Sequence, residues 1–582
     1  MERRTVRRNG TRIAGAVMAA ALLACGTVLG AGPGEVEQTI QLHPGWNAVY
    51  LEVQPDPSDI EAVLAGVPVA SVWTLKAGTE TIQYVRDPNE KTLRTDGWYG
   101  YFPPSRPEHV TTNLFTFRAG QTYLIRLEGE VPVMWRVCGR PGMKTVRWLP
   151  DSYNLVGFDV DPQAPPTLGE WFKPSAAHDG QPIWEMTADG SWREVTDPYS
   201  TTIRAGAAYW VYCQGKSDYQ GPLVVRPELL EGLDFGKAVR TLGLNIENAL
   251  DIDVDVTITR QNPGDVPLVV EVMDPETVKR SYPDVPAAYR IEVGAGKGAR
   301  LDFGVRRARL AALEAADVLS VSNGLGCRRL VWVHVQSVYQ PVLKSARDAS
   351  TPFSGLWVGI ARVNKVSMAQ EGGTTPKPTK SSYPLRFLLH VDASGQVRLL
   401  KEVTKMWKEG TTKPDPGGSG YNVTDQPGHY VLVTDESLFD QFKGVEFNGD
   451  AVVPVRISTI AYDFQGTELE AQGTIGPRGN LDATLVLPVG FPTNPFFDRY
   501  HPDHDNLDAE FLNFKAESYE ITRRIHWRFT ETDPWGIDDP NWGHTILGGV
   551  YSEEITGLHR NPIFVEGTFR MELVSPIPVL NQ

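Results

Sequence analysis

The chain has 582 residues, of which 41% are hydrophobic and 22% charged, a globular composition too long for one core and suited to roughly three to five domains. A net charge of −15, with no Lys/Arg run after residue 12, excludes nucleic acid and anionic membrane surfaces as partners. The 55 glycines, 44 prolines and 10% aromatics favour an all-β chain of many short strands joined by turns.

The N-terminus reads as a leader. MERRTVRRNGTR is basic, Ile13 to Leu29 is apolar, and the small residues Gly30, Ala31 and Gly32 follow. That order is a signal peptide over residues 1–32, and it predicts an extracytoplasmic protein: secreted, periplasmic or on the cell surface. Leu22-Leu23-Ala24-Cys25 also resembles a lipobox, which makes Cys25 a candidate for lipidation and the N-terminal lipid the one expected membrane contact. Beyond the leader only Cys138, Cys213 and Cys327 remain. Three thiols allow one intrachain bridge, and Cys138 with Cys213 is the expected pair.

An internal repeat comes next. Gly45-Trp46-Asn47-Ala48-Val49-Tyr50 answers to Ser152-Tyr153-Asn154-Leu155-Val156-Gly157. Val72-Trp73-Thr74-Leu75 answers to Ile183-Trp184-Glu185-Met186, and Arg118-Ala119-Gly120 before Tyr123 answers to Arg204-Ala205-Gly206 before Tyr209. Two related β-modules are expected, over residues 36–140 and 147–228. The offset between matching segments shrinks along the chain, so the first module carries an insertion. Trp98, Tyr99, Tyr101 and Phe102 fall in it, with no counterpart expected in the second module. An exposed aromatic loop of this kind could stack on sugar rings or a partner protein, so these four are candidate ligand-binding residues.

Residues 230–346 contain several strand-like runs with turns between them, the pattern of an immunoglobulin-like β-sandwich. Ala308 to Ala316 (ARLAALEAA) is the one segment that reads as a helix. Gly294-Ala-Gly296-Lys-Gly298 joins two strands, so it is a hairpin turn and not a phosphate-binding loop.

A large C-terminal β-sandwich or barrel is expected over residues 354–582. Leu385 to Val391 and Val397 to Leu400 flank Asp392-Ala-Ser-Gly395 as a hairpin, while Thr374 to Ser382 and Thr411 to Gly420 read as loops. From Tyr519 to Phe529 the alternation is clean: Tyr519, Ile521, Ile525, Trp527 and Phe529 share one face. Arg523 lies on that apolar face, so a buried guanidinium in need of an acceptor is expected there.

No HExxH, Gly-x-Ser-x-Gly, Walker loop or Cys/His metal spacing occurs. The acidic stretch YHPDHDNLDAEF, Tyr500 to Phe511, is the strongest local candidate for chemistry. Asp503, Asp505, Asn506 and Asp508 offer hard oxygens that suit Ca²⁺, although an EF-hand loop is excluded because Leu507 takes a ligand place. The other reading is a polar turn bonded to its own backbone, with one aspartate as structural partner of Arg523. The turn is the expectation, and no cofactor is required.

The repeat pattern resembles modules of exported bacterial surface proteins. Gly355 to Gly359 (GLWVG), LLHVDASGQVRLL, NPFFDRYHPDHDNLDAEF and ITGLHRNPIFVEGTF resemble the C-terminal region of uncharacterised exported multidomain bacterial proteins. That resemblance implies β architecture and export but no activity. The functional expectation is a cell-envelope or secreted protein with a binding or scaffold role, its partner an envelope protein or a carbohydrate. The alternative is an exported hydrolase, acting on polysaccharide, with a carboxylate-rich site in the C-terminal domain.

Overall fold

The computed structural model describes residues 32–75, 97–143, 145–262, 265–338, 353–417, 420–448, 451–459, 461–495, 519–559 and 561–582. Residues 1–31 of the leader, with Cys25, lie outside the described residues. The stretch that carries Asp503, Asp505, Asn506 and Asp508 does too. The chain is all-β and multidomain, with two short α-helices, Ile60–Val63 and Leu168–Phe172, among the described residues.

The two modules share one sheet topology. In the first, Gly45–Leu51, Gln121–Leu127, Val69–Leu75 and Trp98–Tyr101 lie side by side in that order. In the second, Ser152–Gly157, Ala208–Cys213, Ile183–Met186 and Trp192–Glu194 do the same. The repeated residues make the same bonds. The Asn47 side chain clasps the turn before its strand, accepting from His43 N at 2.8 Å and donating to His43 O at 2.8 Å. Asn154 clasps Leu149 in the same way, at 2.8 and 3.1 Å. An amide side chain with one acceptor and two donors can close a turn from both directions, which explains why both modules carry Asn at this place.

The aromatic segment departs from expectation. Trp98–Tyr101 is a paired strand, with Trp98 opposite Leu75, just as Trp192 is opposite Met186. It therefore has a counterpart in the second module, and most of the inserted residues precede it. Trp46, Trp73, Trp98 and Trp192 pack around Ala48, Leu124, Met186 and Ala208, where the two modules meet. Hydrogen bonds from Tyr50 N to Gly206 O (2.8 Å) and from Thr122 Oγ1 to Leu155 O (3.2 Å) run across the same contact.

The third unit is a two-sheet sandwich. One sheet runs Leu223–Pro227, Thr241–Asn248, Gly298–Val305, Leu268–Val270; the other runs Leu233–Asp234, Arg328–Gln336, Glu314–Ser322, Val254–Arg260, Ala288–Val293. Leu223–Pro227 pairs with Thr241–Asn248, so the sandwich begins before residue 228 and takes that strand from the expected second module. The expected helix at Ala308 to Ala316 is absent. A 3₁₀ turn, Arg307–Arg309, leads instead into the strand Glu314–Ser322, which pairs with Arg328–Gln336 along all nine residues. Burial of Val318, Leu319 and Val321 on both faces of that strand overrides the helix propensity of the alanines.

The C-terminal unit is a closed antiparallel barrel of eight strands. They are Gly355–Val366, Lys377–Val391, Val397–Leu400, Glu468–Gly473, Asn480–Leu487, Ile521–Phe529, Ile546–Thr556 and Ile563–Ser575, and the last pairs with the first. Two segments read as loops are partly strand: Lys377–Val391 runs through most of Thr374 to Ser382, and Thr411–Pro414 pairs with Asn422–Gln426. Between the third and fourth barrel strands the chain makes a small sheet of His429–Val433, Glu402–Lys408 and Val455–Ser458. Trp357, Phe387, Trp527, Tyr551 and Phe569 fill the barrel, as eight strands leave room for side chains and little else.

The sandwich and barrel are pinned by Arg307. It is 2% exposed and donates to Phe235 O (2.7 Å), Val239 O (2.9 Å) and, across the junction, Asn541 Oδ1 (3.0 Å). Burial lowers its pKa to about 10. Arg306 adds an ion pair to Asp538 at 2.9 Å.

Candidate functional site

Alternation places Ile521, Arg523, Ile525, Trp527 and Phe529 on the inner side of one barrel strand. Arg523 therefore points into the barrel, as its place on the apolar face predicts. Among the described residues its partner is Glu553, on the neighbouring strand and 1% exposed at the side chain; the aspartates of the acidic stretch lie outside the described residues. Arg523 Nε bonds one Glu553 oxygen and Nη2 donates to the other at 3.2 Å. Nη1 donates to Ala461 O at 2.8 Å. Burial works against the guanidinium charge, but the bonds and field of Glu553 outweigh it and raise the Arg523 pKa.

Two tyrosines complete the network. Tyr551 donates to Glu553 Oε2 at 2.8 Å, and its hydroxyl lies 2.9 Å from that of Tyr462. Tyr462 lies on the chain returning from the small inserted sheet, 1% exposed, with its ring 4.9 Å below the Arg523 guanidinium. Burial pushes both phenols well above their ordinary pKa, so they act as neutral donors. Phe464 follows Tyr462 into the same core, and together they stopper this end of the barrel.

Above the stopper lies an open groove of about 920 Å³. Its walls are polar: Lys401, Thr434, Asp435, Asp463, Thr467 and Asn581, with Tyr462 at its base. Lys401 is held by Phe464 O (3.1 Å) and Asp463 (3.4 Å). Asn581, near the C-terminus, accepts from Thr434 N (2.8 Å) and donates to Thr434 Oγ1 (2.8 Å), so the last residues help build the rim. The arrangement offers hydroxyl, carboxylate and ammonium groups on a fixed frame, fit for holding a polar ligand by hydrogen bonds.

The structure brings Arg523 into this site; of the other candidates, Trp98, Tyr99, Tyr101, Phe102, Cys138 and Cys213 lie elsewhere, and Cys25, Asp503, Asp505, Asn506 and Asp508 lie outside the described residues. Trp98 is half-buried at the contact between modules, Tyr99 packs half-buried against the first module's core in which Tyr101 is buried, and Phe102 lies edge-on to Trp73 at 5.5 Å. They do not form an exposed loop. Cys138 and Cys213 are free thiols, so the expected bridge is not made. Cys138 is on Val133–Pro141, the middle strand of a three-stranded sheet, opposite Glu37, whereas Cys213 is buried in the second module with its sulfur 3.3 Å from Gly215 O. Sequence reading missed Glu553, Tyr551 and Tyr462. Glu553 carried a signal, since its period-two neighbours Tyr551 and Ile555 are apolar.

The outer face of the barrel is charged. Asp482 meets His526 at 2.5 Å and Arg524 meets Glu554 at 3.4 Å across neighbouring strands. No helix among the described residues is long and apolar enough to cross a membrane. No group of three or more metal-ligating side chains occurs among the described residues.

Neither a protein-family model nor a curated protein matches this chain. Similar solved structures include a Salmonella enterica SafA pilin in complex with its SafB chaperone, at 11% identity and TM-score 0.13, covering 30% of this chain and 89% of that one. A Bacteroides ovatus protein of unknown function is similar at 10% identity and TM-score 0.13, covering 60% of this chain and 91% of that one. A Salmonella alpha-2-macroglobulin mutant is similar at 7% identity and TM-score 0.12, covering 91% of this chain and 50% of that one.

Proposed function

We propose that this is an exported cell-envelope or secreted binding protein, whose two modules and sandwich form a scaffold for the C-terminal barrel. The barrel takes a polar ligand in the groove at its stoppered end. One observation carries the reading: the polar side chains of the groove are held on a fixed frame, Lys401 by Phe464 O and Asp463, and Asn581 by Thr434. The hydrolase alternative would need two of the carboxylates lining the groove, Glu402, Asp435, Glu436 and Asp463, to act on a sugar. Export is supported by the basic, apolar and small-residue order of residues 1–32.

Fractionation of the native producer tests the first half. The mature protein should leave the cytoplasm with a new N-terminus between Cys25 and Glu35, and a cytoplasmic product that keeps Met1 would end the proposal. A reducing-end assay on envelope polysaccharides tests the second half. Turnover abolished by Asp463→Ala would replace the binding reading with the hydrolase.

A further inference from the structure

A second site lies where the first module meets the sandwich. Along the strand Arg328–Gln336, Val331, Val333 and Val335 enter the sandwich core, so Leu330, Trp332 and His334 point to the opposite side. The first module covers the start of this row, since Leu330 and Val318 join its core. Gly34 sits so close that a Cβ there would lie 2.5 Å from Ala316 and 2.9 Å from the Trp332 indole nitrogen. Beyond that contact the surfaces part, leaving a cleft of about 740 Å³.

The cleft is lined by planar polar side chains on strands. The Arg140 guanidinium stands 5.1 Å from the centre of the Trp332 ring. The His334 imidazole lies 4.8 Å from the same indole and within 5° of parallel. His334 is fixed at both nitrogens, by Asp234 at 2.7 Å and Glu314 at 2.6 Å. Gln54 and Asp56 face them from the first module. Such a site is preorganised, because the groups that would touch a ligand are already held by stacking and hydrogen bonds.

We propose that this cleft binds a neutral oligosaccharide. Guanidinium, carboxylate and carboxamide groups each present paired donors or acceptors in one plane, which suits the neighbouring hydroxyls of a sugar ring. The half-exposed indole, flanked by Arg140 and the stacked His334, lines the cleft beside them. Charge selects against anions: Asp56 and Glu314 line the cleft, and Arg140 already has Glu231 at 3.5 Å. The volume falls in the ordinary range for small-ligand sites. This inference does not rest on the barrel groove.

Titration calorimetry on the full chain tests it, with tetramers of glucose, mannose, N-acetylglucosamine and, as the anionic counterpart, galacturonate. At least one neutral tetramer should bind, quench tryptophan fluorescence and lose at least tenfold in affinity with Arg140→Ala and with Asp56→Asn. Asp56 is exposed, so its substitution keeps the test decisive if Arg140→Ala disturbs the fold. No neutral tetramer binding at millimolar concentration, preference for galacturonate, or affinity unchanged in D56N would each overturn the proposal.

Discussion

Tyr209 stands in the second module where Tyr123 stands in the first. Each hydroxyl accepts the amide proton of the arginine five residues before it, at 2.9 Å from Arg204 and 2.8 Å from Arg118. Between them runs the Arg-Ala-Gly turn, whose glycines have φ of +67° and +74°, a region that other residues enter at a cost. The repeated motif is thus a turn closed by a buried phenol. Tyr123→Phe and Tyr209→Phe should each remove about 1 kcal/mol of stability, read as a lower urea midpoint. An unchanged midpoint in both would mean the hydroxyls do not hold the turns.

The Arg523–Glu553 pair makes a sharper forecast. Leaving either charge buried alone should cost about 3–5 kcal/mol, so Arg523→Met and Glu553→Leu should each unfold the barrel at lower denaturant. The double variant should recover most of the loss, because two apolar side chains can occupy the space without an orphaned charge. Additive losses in the double variant would show that the two residues act separately.

Trp98 decides between an exposed ligand platform and a contact between modules. Packed among Trp46, Trp73 and Trp192, it should lose about 1–3 kcal/mol of stability on Trp98→Ala. A surface loop residue would lose a few tenths at most. Thermal melts of the full chain distinguish the two.

What the sequence shows and hides follows from range. The strand Ile521–Phe529 was readable, Arg523 included, because alternation is a local signal. The repeat was readable because Asn47, Asn154, Tyr123 and Tyr209 each bond to residues within five positions. Glu553 was not paired with Arg523 because 30 residues and a strand crossing separate them. Leu223–Pro227 falls within residues 147–228 on sequence for the same reason, since only its partner Thr241–Asn248 reveals which sheet it joins. The groove escaped notice because its walls come from the inserted sheet, the barrel and the C-terminus together.

The thiols should behave as three separate groups. Cys138 is half-buried, with its pKa raised by burial and by Glu37. Cys327 is 3% exposed, and burial pushes its thiol up to about 12. A thiol reagent at pH 8 should therefore modify Cys138 slowly in the folded protein, and Cys213 and Cys327 only after unfolding. Peptide mapping of the native protein should find no bridge. A Cys138–Cys213 disulfide would contradict the arrangement of the first two modules.

The last forecast concerns acid. His178 is 1% exposed in an aromatic cage, 4.0 Å from Trp148 and 5.2 Å from Phe172, with Nδ1 2.7 Å from Ser175 Oγ. Burial lowers its pKa from 6.5 to about 4. Between those values the unfolded chain binds a proton that the folded protein refuses, so stability rises with pH across that window and falls as acid is added. One such histidine contributes a slope of about 1.4 kcal/mol per pH unit, which ends near pH 4 where the folded state also takes the proton. His544, lowered to about 3 by burial and then by the charge of Arg307, adds a second slope that reaches further into acid. In His178→Phe the ring still fills the cage but cannot titrate. Its stability at pH 8 should drop modestly through the lost Ser175 bond, while its slope between pH 6.5 and 4 should be shallower than that of the unchanged protein. Equal slopes in the two proteins, measured by urea unfolding at half-unit pH steps, would show that His178 is not buried neutral.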